Sequence, residues 1–368
     1  MNLVPHSRPW ITDADDRAVA AIVRSEQLAT GATREAFEVA VARWLGVPNR
    51  GVAVGSGRAA VHLALLALGI GPGVEVIVPT YVCTSLLDAI RAAGATAVPC
   101  DVGPSWIVTP ECVAPHLTPR SRAIIVPHLY GVFARAAAFK AFGVPVIEDF
   151  AQAFAGEGTR TLQGDIGVCS FHATKCLTTG EGGMALAIRP ELAARLRAIR
   201  DGEGRLQPAH GPRLFSPLSD VAAALGLAQL MRYHEGLARR RQLAFRYRAA
   251  LEPHFPEVMA RQPIEGTMHF RFPLSLAGGL DACVDRFARQ GVAVRRGVDH
   301  LIHRELGLPD DRFPVAVELY DTTVSLPIYP ALGDEDFRRC ADAAVDVCAA
   351  LAKVGGFPAR AGRAARSA

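Results

Sequence analysis

Ser170-Phe171-His172-Ala173-Thr174-Lys175-Cys176-Leu177-Thr178-Thr179-Gly180-Glu181-Gly182-Gly183 sets one lysine after a short apolar segment and inside a Gly/Thr-rich turn. Upstream, Val146-Ile147-Glu148-Asp149-Phe150-Ala151-Gln152 closes another apolar segment with an acid. Most lysines are solvated surface charges, so Lys175 alone says little. A lysine in a glycine-rich turn, preceded in the chain by an acid at a strand end, is a more specific arrangement.

Working outward, the chain from Gly51 to Ile188 alternates β-rich runs with helical patterns. Gly51–Val54, Glu75–Val78, Thr96–Pro99, Ala123–Val126 and Val144–Ile147 read as strands; Arg58–Leu68 and Ser85–Ala93 have helical spacing. This βαβ rhythm predicts an α/β fold with a mostly parallel sheet covered by helices on both faces. Ligands in such sheets sit beyond the carboxyl ends of strands. Asp149 and the Gly55-Ser56-Gly57 turn both fall at strand ends.

From Asp220 to about Ala250 the pattern predicts one long helix, apolar early and basic later. Beyond it the texture changes. His269–Leu276 alternates like an antiparallel strand, Val292–Val294 reads as a short strand, and Cys283–Gln290 and Glu335–Ala350 as helices. We therefore expect a large domain over residues 1–240 and a smaller C-terminal α+β domain over 241–354. The segment up to Thr30 is expected to pack back on the small domain. A Gly/Ala/Arg-rich tail, 355–368, is expected to be disordered.

The chemistry follows from residue types. Gly57 opens a helix after a strand, where bare backbone N–H groups bind phosphate. Ala60 stands where a dinucleotide G-x-G-x-x-G would need its third glycine. Asp149 can hold a protonated pyridine nitrogen by a charge-assisted hydrogen bond. Gln152 can lie above such a ring or donate to its 3′ oxygen, and the Ser170 hydroxyl can complete a phosphate cup. Ser170 and His172 alternate about Phe171, so their side chains are expected to share one face. A neutral Lys175 amine can attack an aldehyde. Together these point to pyridoxal 5′-phosphate held by Lys175 as a Schiff base. Each residue also has a structural reading: a tight turn for Gly57, a helix cap for Asp149, a hairpin loop for Lys175.

Composition closes off other classes. The 368 residues are 50% hydrophobic and 21% charged with net charge +4, which is ordinary for a globular protein. Arg239-Arg240-Arg241 reads as a solvated helix face, so no nucleic-acid partner is expected. The eight cysteines form no C-x-x-C pair, which argues against zinc ribbons and a disulfide framework and suits a reducing compartment. No metal is expected. The longest apolar stretch, Ala59–Ile70, is broken by His62 and too short to cross a bilayer. The first residues show no signal-peptide core, so a cytoplasmic location is expected.

Further motifs carry a family resemblance. Gly69-Ile70-Gly71-Pro72-Gly73-Val74-Glu75-Val76-Ile77-Val78-Pro79, Pro127-His128-Leu129-Tyr130-Gly131, Glu148-Asp149-Phe150-Ala151-Gln152-Ala153, Ser219-Asp220 and Ser325-Leu326-Pro327-Ile328-Tyr329-Pro330 add to the Lys175 loop and the turn at Leu28-Ala29-Thr30-Gly31. The set resembles the DegT/StrS family of sugar aminotransferases, of pyridoxal-phosphate fold type I. The resemblance implies that Lys175 carries the cofactor, Asp149 holds its ring nitrogen and Gln152 contacts its 3′ oxygen. Ser170, with amides near Gly57 and Arg58, would hold the phosphate. It also implies a homodimer with interfacial sites, glutamate or glutamine as amino donor, and a nucleotide-linked keto-sugar as acceptor. Such products feed polysaccharides or antibiotic glycans.

The sequence departs from the family pattern at several positions. Arg58 replaces a threonine, Cys83 falls where a ring-stacking aromatic is usual (Tyr81 is nearby), Phe215 aligns with an asparagine and Cys176 follows the lysine in place of another. Arg58 or Arg213 is the candidate to supply the missing phosphate contact. A sugar dehydratase of the same family is the enzymatic alternative, but it would put histidine at Lys175 or add an iron–sulfur cysteine cluster. A non-enzymatic regulator is disfavoured because Lys175, Asp149 and Gln152 are all retained.

Overall fold

The computed structural model describes residues 2–154, 161–202, 214, 216–262 and 266–353. Arg213, Phe215 and the tail from 355 lie outside them. Seven strands form the main sheet: β1 (Gly51–Val54), β2 (Glu75–Pro79), β3 (Thr96–Cys100), β4 (Ser121–Pro127), β5 (Val146–Asp149), β6 (Ile166–Ser170) and β7 (Gly183–Ala187). Their order is β1-β7-β6-β5-β4-β2-β3. β3, β2, β4, β5 and β6 pair in parallel, and β7 runs antiparallel to both β6 and β1. The mostly parallel sheet expected from the sequence is present.

Both faces are packed, which explains the unbroken apolar runs. Side chains alternate between two cores. Val52, Val54, Ala185 and Ala187 join the core shared with Leu63, Ile90 and Phe139. Their neighbours Ala53, Met184 and Leu186 join Phe37, Trp44 and Phe171 on the other face.

A second, antiparallel sheet has the order β8-β10-β9, from β8 (Phe272–Ser275), β9 (Arg295–Arg296) and β10 (Thr323–Leu326). Its core gathers Tyr247, Phe272, Leu274, Phe287, Val324 and Phe337. Val4 pairs with Val292 and is buried in this core. The helix Asp13–Ser25 instead packs on the helix Asp220–Met231.

Three local expectations need correction. The single helix expected from Asp220 to Ala250 is two, Asp220–Met231 and Tyr233–Leu251, broken at Arg232 with φ −110° and ψ 13°. Arg232 is held there by a hydrogen bond to the Trp10 carbonyl and an ion pair with Asp15. The strand expected from His269 begins only at Phe272, because His269 takes a left-handed backbone with φ 53°. The strand expected at Val292–Val294 makes only an isolated bridge, and the ladder forms at Arg295–Arg296.

Candidate active site

β2, β4, β5 and β6 are parallel, so their carboxyl ends share one edge of the sheet. The helix Gly57–Ala67 starts at the same edge, capped by Ser56, whose Oγ accepts from the Ala59 N–H at 3.1 Å. A cleft of about 520 Å³ opens there. Gly57, Arg58, Cys83, Asp149, Gln152, Ser170 and Lys175 all line it. These seven residues nominated from the sequence therefore reach one cavity, while Arg213 lies outside the described residues.

Gly57 is required by space. A Cβ there would stand 2.7 Å from Ser170 Cβ and 2.9 Å from its Oγ. The Ser170 hydroxyl thus faces a bare helix N-terminus, an arrangement of donors suited to a phosphate. Behind it, a Cβ on Gly183 would meet the Ser56 carbonyl oxygen at 2.2 Å and the Gly57 nitrogen at 2.7 Å. Gly183 therefore lets β7 support the turn from beneath.

Asp149 is the last residue of β5 and pairs with Val168 of β6. Its Oδ1 accepts from the Ala151 N–H at 2.8 Å. Burial raises the carboxyl above its usual range, while the Ala151 amide, Lys175 and His128 pull it back. Burial lowers the Lys175 ammonium, opposed by the Asp149 carboxylate. The amine is thereby moved toward the neutral form that can act as a nucleophile or base.

Lys175 lies on the connection between β6 and β7, and its N–H donates to the His172 carbonyl at 2.8 Å. The Phe171 N–H donates to Gly182 and the Thr179 N–H to Phe171, which tie the loop across its base. The shared face expected for Ser170 and His172 is not formed. β6 ends at Ser170, and His172 turns outward to bond Thr174 Oγ1 at 2.9 Å and Glu181 at 3.5 Å.

Gln152 uses its Oε1 to accept from the Tyr130 N–H at 3.1 Å, which leaves its amide hydrogens for other partners. Cys83 is exposed, with the Ser85 hydroxyl 3.2 Å from its sulfur. The Arg58 guanidinium is 60% exposed and paired with Asp88 at 3.2 Å.

Sequence reasoning missed several residues. His128 also lines the cleft and is buried. Its Nδ1 accepts from the Ala134 N–H at 3.0 Å, so its Nε2 carries the proton toward Glu148 Oε2 at 3.1 Å. Glu148 also accepts from the Gln163 N–H at 2.6 Å, locking β5 beside the site. The Lys175 Nζ stands 5.4 Å from the centroid of the Phe270 ring. Phe270 arrives through the left-handed Tyr130 (φ 58°), whose carbonyl accepts its N–H at 3.1 Å. The motif around Tyr130 and the alternation around Phe270 were visible separately; their pairing was not. Among the described residues no cluster could hold a metal ion, and no helix is long and apolar enough to cross a membrane.

The cradle at Gly57, the buried acid and the amine with its lowered pKa fit pyridoxal phosphate. On this sheet they define an aminotransferase of pyridoxal-phosphate fold type I. The chain belongs to the DegT/DnrJ/EryC1/StrS aminotransferase family, which it matches over residues 9–345 and which uses pyridoxal phosphate. It is similar to the aminotransferase TlmJ from Streptoalloteichus hindustanus, with 30% identity and TM-score 0.87 over 95% of this chain and 100% of that one. It is also similar to DesI, solved in the presence of its TDP-sugar product, with 27% identity and TM-score 0.85 over 96% and 95% of the two chains. The fold is shared with the PLP form of the sugar aminotransferase Spr1654 from Streptococcus pneumoniae, at 24% identity and TM-score 0.84 over 95% and 99%.

Proposed function

We propose that this chain moves an amino group from glutamate or glutamine to a keto-sugar, probed best as a nucleotide-linked substrate, for polysaccharide or secondary-metabolite glycans. The observation that carries the reading is one cleft shared by Lys175, Asp149, Ser170 and Gly57. The DesI structure, which holds a TDP-sugar product, supports the choice of acceptor class.

Bound there, pyridoxal phosphate supplies an aldehyde that carries the amino group and a ring that takes up electron density as a C–H bond breaks. Asp149 would hold the protonated ring nitrogen, its carboxylate favoured by the Ala151 amide and by Lys175. Gln152 donates to the 3′ oxygen with the amide hydrogens left by its contact to Tyr130. Ser170 and the amides at Gly57 and Arg58 hold the phosphate. Cys83, which lines the same cleft, would border the ring. Lys175 holds the cofactor at rest, and its neutral amine moves a proton at the substrate α-carbon during exchange. The enzyme acts as a cytoplasmic homodimer with its sites at the interface.

The purified protein should carry a visible absorption band that glutamate or glutamine bleaches. A panel of nucleotide-linked keto-sugars should then restore it. Bleaching by neither donor, or restoration by none of the sugars, removes the corresponding half of the proposal.

A further inference from the structure

A further cavity lies against Thr174, the residue before the lysine, and Phe270, the ring beside it. His6, Arg240, Arg271 and Arg295 are also among its lining residues. Lys175 Nζ and the Arg271 guanidinium both sit over the Phe270 ring, 5.4 and 5.7 Å from its centroid. The cavity therefore adjoins the position where the amine is exchanged.

Among the described residues no carboxylate forms an ion pair with Arg271. Arg271 has a buried Nε and a buried Nη1 with no hydrogen-bond partner. Among the described residues the other buried guanidinium nitrogens without a hydrogen-bond partner belong to Arg34 and Arg232, whose side chains form ion pairs with carboxylates. Asp299 acts on Arg271 only as a more distant charge. Tyr81 and Tyr130 also act on it, but burial pushes the Tyr81 hydroxyl up to about 12 and raises that of Tyr130, so neither supplies an anion.

Arg240 donates to the carbonyls of His269, Phe270 and Ile328 at 3.2, 3.2 and 2.8 Å, which fix it without neutralising it. His6 is bonded to Ser325 Oγ at 2.9 Å and kept from protonation by burial and by Arg271 and Arg295. A buried guanidinium with two unpaired nitrogens is costly, and a bound anion lowers that cost. An anion in the cavity would set its charge beside the Arg271 guanidinium, and a carboxylate is the planar anion that a guanidinium pairs with best.

We propose that Arg271, backed by Arg240 and Arg295, forms a carboxylate-binding site for a substrate of this enzyme. The proposal rests on the reading that amine exchange takes place at Lys175. Two sources of the carboxylate share this chemistry: the amino-acid donor and an acceptor that carries an acid group.

The test is titration of the cofactor-loaded protein with succinate, an unreactive dicarboxylate, by calorimetry. Arg271→Gln should weaken succinate binding about ten- to a hundredfold, as expected for loss of a charged hydrogen-bond pair. Arg271→Lys should recover part of it. If Arg271→Gln does not fold, Arg295→Gln takes its place, and a smaller loss in the same direction is expected. Half-reactions then separate the sources. A raised apparent Kd for glutamate in bleaching, with the keto-acceptor step unchanged, assigns the site to the donor; the reverse assigns it to an acidic acceptor. Unchanged succinate affinity in the variants overturns the proposal. Succinate binding needs no amine exchange, so failure of the transaminase reading leaves this measurement intact.

Discussion

Asp149 and Lys175 are each displaced by burial and pulled back by the other's charge. Asp149→Asn should keep the cofactor bound yet lower turnover on the order of a hundredfold, because an amide cannot hold a protonated ring nitrogen. Stopped-flow measurement of glutamate bleaching checks this, and near-normal rates would make Asp149 a structural cap. Gly57→Ala should weaken cofactor binding at least about tenfold, since its methyl would enter the space beside Ser170 Cβ. Gly57→Ala with Ser170→Gly should regain part of the affinity, and absorbance titration compares them. Arg58 is held by Asp88 in an exposed pair, which costs little to open. If its guanidinium turns to the phosphate, Arg58→Thr weakens the cofactor by up to about a hundredfold and Asp88→Asn strengthens it. If only its amide serves, neither changes affinity. The candidate residues were legible because each is a chemical type at a strand end. Phe270 and Arg271 were not, because nothing local signals that a segment after residue 266 folds onto the Tyr130 turn.

At the level of elements, the strands of the parallel sheet were readable because burial on both faces makes them continuous apolar runs. The break at Arg232 was not, because no glycine or proline marks Met231-Arg232-Tyr233. It is imposed from a distance by Trp10 and Asp15. Long-range locking also joins two motifs that the sequence presented separately. Asp220 accepts from the Gly31 N–H at 2.8 Å, the Thr33 N–H at 3.2 Å and the Arg34 N–H at 2.9 Å, so it caps the helix Ala32–Trp44 across the chain. A Cβ on Gly31 would stand 2.8 Å from the same carboxylate. Asp220→Ala should therefore destabilise the fold by about 1.5–3 kcal/mol. Urea unfolding reads the change, and a loss below about 0.5 kcal/mol would show that solvent replaces the cap.

The whole molecule exposes large apolar side chains on the helices Asp220–Met231 and Tyr233–Leu251, Met231 at 88% and Phe245 at 71%. Such exposure fits a surface that meets a second copy. Light scattering should give a dimer, with Met231→Asp shifting it toward monomer; a wild-type monomer with cofactor fully bound removes the proposed interfacial site. The central claim is that one lysine, brought to the carboxyl edge of the sheet opposite Asp149, carries the cofactor of this aminotransferase. Borohydride reduction of the coloured protein followed by peptide mapping tests it most directly. The expected result is cofactor attached to Lys175 alone, with no attachment in a folded Lys175→Ala variant; attachment at another lysine would contradict the account.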